Sequence, residues 1–131
     1  MGMSESLPPK KVYLAGGFRS GWQAGVSARL PQYIFLDPSS HNIQNPAKYA
    51  RWDLDAIRES DVVLANMEAT NPGGYSLALE VGFAKALGKI VIFIDQISDP
   101  TVSRYFEMVR QCSDLVFKNI EEAVEHLRQL R

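Results

Sequence analysis

Five short apolar runs punctuate the chain, and none of them alternates apolar with polar residues. They are Lys11-Val-Tyr-Leu-Ala-Gly16, Tyr33-Ile-Phe-Leu36, Asp61-Val-Val-Leu-Ala65, Lys89-Ile-Val-Ile-Phe-Ile94 and Leu115-Val-Phe117. A strand that is apolar on both sides must be covered on both sides, which is the condition of a parallel sheet between helices. The intervening segments supply the helices. Ser20 to Leu30 is weakly helical and stops at Pro31. Asn45-Pro46 is a helix start, with Asn as cap and Pro at the first helical position, and the helix runs to about Ser60. Tyr75 to Leu87 is helical and Gly88 closes it. A short helix is expected over Pro100 to Gln111. Asn119 caps a last one, with Ile120, Ala123, Val124, Leu127 and Leu130 on one stripe. The expected fold is α/β: a doubly wound five-stranded parallel sheet in order 2-1-3-4-5, with helices on both faces. Such sheets bind ligands beyond the carboxyl ends of their strands. The loops after Ala15, Leu36, Ala65 and Ile94 are therefore the places to search.

The 131 residues are one domain's worth of chain. Residues 1–10 read as a flexible leader and residues 11–131 as a single domain. Fourteen basic against fifteen acidic residues argue against a nucleic-acid footprint. One cysteine, Cys112, excludes a disulfide framework, and with only His41 and His126 beside it no metal centre is expected. Both histidines read as surface residues. The longest apolar stretch, Ile90 to Ile94, is far short of the roughly 20 residues that span a bilayer. The expectation is a cytoplasmic protein with no membrane partner and no cofactor.

Two carboxylates break the helical pattern. Leu77, Val81, Ala84 and Leu87 form one apolar stripe at helical spacing, and Glu80 falls inside it. Asp53 falls between Tyr49 and Ile57, on the side of its helix that also carries Trp52 and Ala56. Each taken alone is as well explained by a structural carboxylate that caps a loop or bonds to backbone amides. Together, on inward faces of the helices flanking strand 3, they raise the odds of a site. Paired carboxylates in different environments are what glycosyl chemistry uses. Around them, Gly16-Gly17-Phe18-Arg19-Ser20-Gly21 follows strand 1 and lacks the dinucleotide spacing. Arg19 could meet a phosphate or carboxylate, and Phe18 and Trp22 could wall a planar ring. Tyr13 lies mid-strand, and its hydroxyl needs a partner if buried. Asn66, Gly74 and Ser76, at the ends of strand 3 and of the next helix, join the candidate substrate-binding residues.

Three stretches together resemble the nucleoside 2-deoxyribosyltransferase family. They are Tyr13-Leu-Ala-Gly-Gly-Phe18, then Trp52-Asp53-Leu-Asp-Ala-Ile57 with Ser60-Asp61, and Ser76-Leu-Ala-Leu-Glu80-Val-Gly-Phe-Ala84 with Leu87-Gly88-Lys89. The likeness runs from about Val12 to Leu115. It implies the same doubly wound, flavodoxin-like fold. It implies that Glu80 is the nucleophile that attacks the anomeric carbon of a 2′-deoxynucleoside. Tyr13 would orient that glutamate, and Asp53 would contact the base and help protonate it. Met108 falls where the family supplies a residue to a neighbouring subunit's sugar pocket, which implies a homodimer or larger assembly. The partners implied are a deoxynucleoside and a free nucleobase.

The glycine loop with Arg19 also resembles the phosphate loop of the 2′-deoxynucleoside 5′-phosphate N-hydrolases, a sister group. Three readings therefore stand. The leading one is base exchange between deoxynucleosides. The second is hydrolysis of a deoxynucleoside 5′-monophosphate. The third is a non-catalytic nucleotide sensor, against which the presence of both Glu80 and Asp53 argues.

Overall fold

The computed structural model describes residues 11–70 and 74–130. The leader expected over residues 1–10 lies outside them. Five strands, β1 (Lys11–Gly16), β2 (Ile34–Leu36), β3 (Val62–Met67), β4 (Ile90–Asp95) and β5 (Leu115–Phe117), form one sheet in order β2-β1-β3-β4-β5. Every neighbouring pair is parallel. The helices are α1 (Trp22–Arg29), α2 (Pro46–Glu59), α3 (Tyr75–Ala86), α4 (Pro100–Tyr105), α5 (Glu107–Gln111) and α6 (Ile120–Gln129). Among the described residues no helix is long and apolar enough to cross a membrane.

Strand parity divides the core in two. Tyr13 and Ala15 of β1, Val63, Ala65 and Met67 of β3, and Val91 and Phe93 of β4 face α2, α3 and α5. Val12, Leu14, Val62, Leu64, Ile92 and Ile94 face the opposite way, onto α1 and α6. This is why the runs are continuously apolar: both parities are buried. Tyr13 consequently projects toward the α2 and α3 side, where Asp53 and Glu80 also lie.

The boundaries differ from the sequence expectation in instructive places. Helix α1 starts at Trp22 rather than Ser20, because Gly21 takes a left-handed conformation at φ 71° and cannot lie inside a helix. Tyr33 leaves the strand to donate its hydroxyl to the Leu127 carbonyl at 2.6 Å. The helix expected over Pro100 to Gln111 is two helices, broken at Phe106 (φ −106°, ψ 12°), whose ring is buried in the core.

Two glycines are dictated by close approach. A Cβ at Gly16 would stand 2.6 Å from the Asn66 carbonyl oxygen, and one at Gly74 would stand 2.7 Å from the Met67 sulfur. Both also have φ between 80° and 150°, a region that side chains disfavour (144° and 82°). These glycines let β1 lie against the end of β3 and let α3 begin against the core.

Candidate active site

A cleft of about 610 Å³ opens beyond the carboxyl ends of β1 and β2, beside the start of α3. That lies within the roughly 300–1,000 Å³ of small-molecule sites. Four segments wall it. The turn after β1 contributes Gly16, Gly17 and Phe18. The loop after β2 contributes Pro38, Ser39 and His41 to Gln44. Helix α2 contributes Tyr49 and Asp53, and the start of α3 contributes Gly74, Tyr75, Ser76, Leu77 and Glu80.

Glu80 is 8% exposed, one and a half turns into α3. The phenol of Tyr13, itself fully buried, donates to Glu80 Oε2. Oε1 has no protein hydrogen bond among the described residues. Burial pushes the Glu80 carboxyl up to about 7; the Tyr13 hydrogen bond opposes the rise and the Asp53 charge adds to it. Burial and the adjacent Glu80 push the Tyr13 phenol far above its ordinary value. Tyr13 therefore stays protonated and keeps its O–H donated to Glu80.

Asp53 is reached from the loop after β2. His41 Nε2 lies 3.1 Å from Asp53 Oδ1, and His41 Nδ1 accepts the Ile43 backbone N–H at 3.3 Å. The Trp52 ring stands edge-on to the imidazole, with centroids 4.6 Å apart. From sequence His41 reads as a surface residue; in the fold its side chain is only 14% exposed and it faces the cleft. The available signal was its place just beyond the carboxyl end of strand 2. Asn42, Ile43 and Gln44 likewise line the cleft from a loop with no periodicity to read, while Tyr49, on the inner face of its helix by sequence, joins them from α2.

The remaining candidates divide. Gly16, Gly17, Phe18, Gly74 and Ser76 line the cleft with Asp53 and Glu80. Arg19 does not; with Gly17, Ser20, Glu68 and Thr70 it lines a smaller adjoining cleft of about 260 Å³. Trp22 is turned into the core beneath α1, its indole N–H donating to the Gly17 carbonyl at 3.0 Å, so it supports the glycine turn from behind and forms no part of the cleft wall. Asn66 is fully buried at the end of β3, where its side-chain oxygen accepts from Gln96 Nε2 at 2.8 Å. Met108 is 78% exposed on α5, outside the cleft of its own chain. Among the described residues no group of three or more His, Cys, Asp or Glu side chains could hold a metal ion.

The arrangement can do one kind of chemistry directly. A buried carboxylate with one oxygen tied and one free can attack an electrophilic carbon. A second carboxyl group in the same cleft can serve the leaving group's proton.

Solved structures share the fold. A 2-desoxiribosyltransferase from Leishmania mexicana superposes with a TM-score of 0.68 at 20% identity, over 92% of this chain and 98% of the other. A 2-deoxyribosyltransferase from Bacillus psychrosaccharolyticus gives 0.68 at 16% identity, over 91% and 90%. A CMP N-glycosidase from Clostridium botulinum gives 0.59 at 20% identity, over 90% and 98%. No curated protein matches the sequence at a significant level. The profile of the family described as Nucleoside 2-deoxyribosyltransferase matches residues 12–124. That span takes in nearly all of β1, both carboxylate-bearing helices and the first half of α6, and the chain belongs to the nucleoside 2-deoxyribosyltransferase family.

Proposed function

We propose that the protein transfers a 2′-deoxyribosyl group between nucleobases through a covalent intermediate on Glu80. The observation that carries this reading is Glu80 itself: a buried carboxylate inside the cleft, with Tyr13 on Oε2 and Oε1 free. Oε1 attacks C1′ of the bound deoxynucleoside. The C1′–N bond breaks, its electron pair passes to the base, and Asp53 delivers the proton that makes the base a neutral leaving group. A second base then surrenders its proton to Asp53 and attacks C1′, expelling Glu80. Two inversions give net retention. The lost Oε2 charge returns to a site where the Tyr13 hydroxyl is already pointed.

One observation favours a second reading. The small cleft that holds Arg19 shares Gly17 with the main cleft, so a 5′-phosphate on a bound nucleotide could reach the guanidinium. Hydrolysis of a deoxynucleoside 5′-monophosphate would then be the reaction. Glu68 in the same small cleft opposes an anion there, and the exchange reading is preferred.

A single chromatographic assay separates them. A deoxynucleoside incubated with a different free base is expected to yield the exchanged nucleoside. Rapid base release from the 5′-monophosphate, with no exchange from the nucleoside, overturns the preferred reading.

The reading extends to assembly. A glycosyl intermediate must be shielded from water until the second base arrives. A second copy of the chain, brought in by the exposed α4 and α5 region that carries Tyr105 and Met108, would cover the cleft.

A further inference from the structure

The two carboxylates of the cleft are held in the same way. Glu80 has one oxygen taken by a phenol, Tyr13, and Asp53 has one oxygen taken by an imidazole, His41. In each case the second oxygen has no protein hydrogen bond among the described residues. We propose that His41 is the positioning residue of Asp53: its Nε2–H occupies Oδ1, so that the proton Asp53 gives to the departing base is carried on Oδ2.

The tautomer follows from the loop. His41 Nδ1 faces the Ile43 backbone N–H at 3.3 Å, and a backbone amide can only donate. Nδ1 therefore bears the lone pair and Nε2 bears the hydrogen. An Nε2–H can point at Oδ1 whether Asp53 is a carboxylate or an acid protonated on Oδ2. A protonated Oδ1 would be the hydroxyl of the acid, a poorer acceptor than its carbonyl oxygen, so the bond favours the proton on Oδ2. The carboxyl group thus keeps one orientation through both half-reactions, and no rotation is needed as the proton leaves and returns. The Trp52 ring, edge-on at 4.6 Å, fixes the plane of the imidazole. His41 and Asp53 side chains are only 14% and 21% exposed, so water competes weakly for this bond. Tethering matters because a general acid misaligned by small rotations loses most of its roughly 10²–10⁴-fold effect.

The proposal rests on Asp53 serving the leaving base, and its test has one arm that does not. That arm is the imidazole nitrogen NMR spectrum of the wild-type protein, in which His126 supplies the other histidine signal. Hydrogen on Nε2 and a lone pair on Nδ1 of His41 are expected. Hydrogen on Nδ1 overturns the proposal, whatever the enzyme's substrate. The kinetic arm uses His41→Phe, His41→Gln and Asp53→Asn. With a natural deoxynucleoside, His41→Phe is expected to lower kcat about 10–100-fold, a part of the roughly 10²–10⁴-fold that general acid help supplies. With an activated leaving group the loss should be under about threefold, because such a base departs without a proton. His41→Gln, which keeps an N–H donor, should recover most of the rate. His41→Phe added to Asp53→Asn should cost nothing further. Equal losses on both substrates, or additive losses in the double variant, mean a structural role and overturn the proposal. Wild-type protein that exchanges no base overturns the proposed function instead, and the nitrogen spectrum still decides the tautomer.

Discussion

Tyr13 and Glu80 stand 67 positions apart in the sequence and meet side chain to side chain, the phenol of one donating to Oε2 of the other. The pairing is a product of strand parity and helix phase. Tyr13 faces the α2 and α3 side because odd residues of β1 do, and Glu80 faces the sheet because it lies in the Leu77, Val81, Ala84 stripe. Glu80→Ala should leave the fold intact and lower the exchange rate by on the order of 10³-fold or more, since covalent catalysis has no substitute group here. Tyr13→Phe removes one hydrogen bond to a charged group, worth about 1.5–3 kcal/mol. That corresponds to a loss of about 10–100-fold. Steady-state kinetics of both variants, with circular dichroism to verify folding, measure this. A Glu80→Ala variant that keeps a tenth of the wild-type rate removes Glu80 from the nucleophile's role.

The pH dependence has two opposed signs. Burial sets the Glu80 carboxyl at about 7 in the folded chain, against 4.5 for a free side chain. The nucleophile must be ionised, so the rising limb of kcat/KM should climb with pH through about 7. Tyr13→Phe removes a bond that lowers this value and should move the climb to higher pH. Stability runs the other way. Between 4.5 and about 7 the folded chain holds a proton on Glu80 that the unfolded chain has lost. The stabilisation from the protonated form is full below 4.5 and fades as pH rises through about 7. The difference is on the order of 3 kcal/mol, at about 1.4 kcal/mol per pKa unit. Denaturant melts at pH 5 and pH 8 should show this slope in the wild type and not in Glu80→Gln.

How legible these features were depends on how far each is set by local chemistry. The run Ile90 to Ile94 admits hardly anything but a strand covered on both faces, and its partners in the sheet follow from right-handed crossovers. Glu80 and Asp53 could be singled out because each violates a helical stripe. His41 violates nothing: it lies in a stretch with no period, and only the folded loop brings it to Asp53. The side taken by Trp22 was equally hidden. It turns on Gly21 at φ 71°, a backbone choice that rotates the indole into the core and leaves Arg19 on the other side of the turn. Phe106 reads as one more apolar helical residue, and the helix breaks there so that its ring can be buried against the start of α3.

Asp53→Asn tests the second carboxylate. A nucleobase departs poorly as an anion, and protonation of the leaving base lowers the barrier by about 10²–10⁴-fold. Natural deoxynucleosides should lose most of that factor, while a substrate with an activated leaving group should lose much less. Paired rate measurements on the two substrates decide it, and equal losses assign Asp53 to structure.

Asp95 and Arg110 tie the α4 and α5 elbow to the sheet. Asp95 is 3% exposed at the end of β4, and its Oδ2 accepts Arg110 Nε at 2.8 Å. The same guanidinium donates to the Ser103 carbonyl at 3.0 Å and to its hydroxyl at 2.7 Å. Burial opposes the charge on Asp95, but the bonds from Arg110 and from the Ile97 N–H outweigh it and hold the carboxyl below its usual range. Arg110→Leu should destabilise the fold by roughly 1–3 kcal/mol, because it leaves the buried Asp95 with only the exposed Lys118, 3.6 Å from Oδ2, and the Ile97 N–H. Adding Asp95→Asn should restore part of that loss. Chemical denaturation of the single and double variants reads both, and a double variant weaker than the single one contradicts the pairing.

Assembly is the last expectation. Tyr75, Leu79, Tyr105 and Met108 are 87%, 69%, 80% and 78% exposed, the largest apolar exposures among the described residues. Tyr75 and Leu79 are one turn apart on α3, and α3 packs beside α5, which carries Met108. Tyr75 also lines the mouth of the cleft, so whatever covers this face reaches the site. A second copy of the chain is the expected cover. A stable interface buries roughly 1,200–2,000 Å² in total, and four large apolar side chains from each copy are a sound centre for one. Light scattering should report a dimer or larger assembly, and Leu79→Glu with Met108→Glu should yield monomers. The monomeric variant should lose transfer more than hydrolysis, since the uncovered intermediate then meets water before the second base. Wild-type protein that is monomeric and transfers at full rate contradicts the expectation.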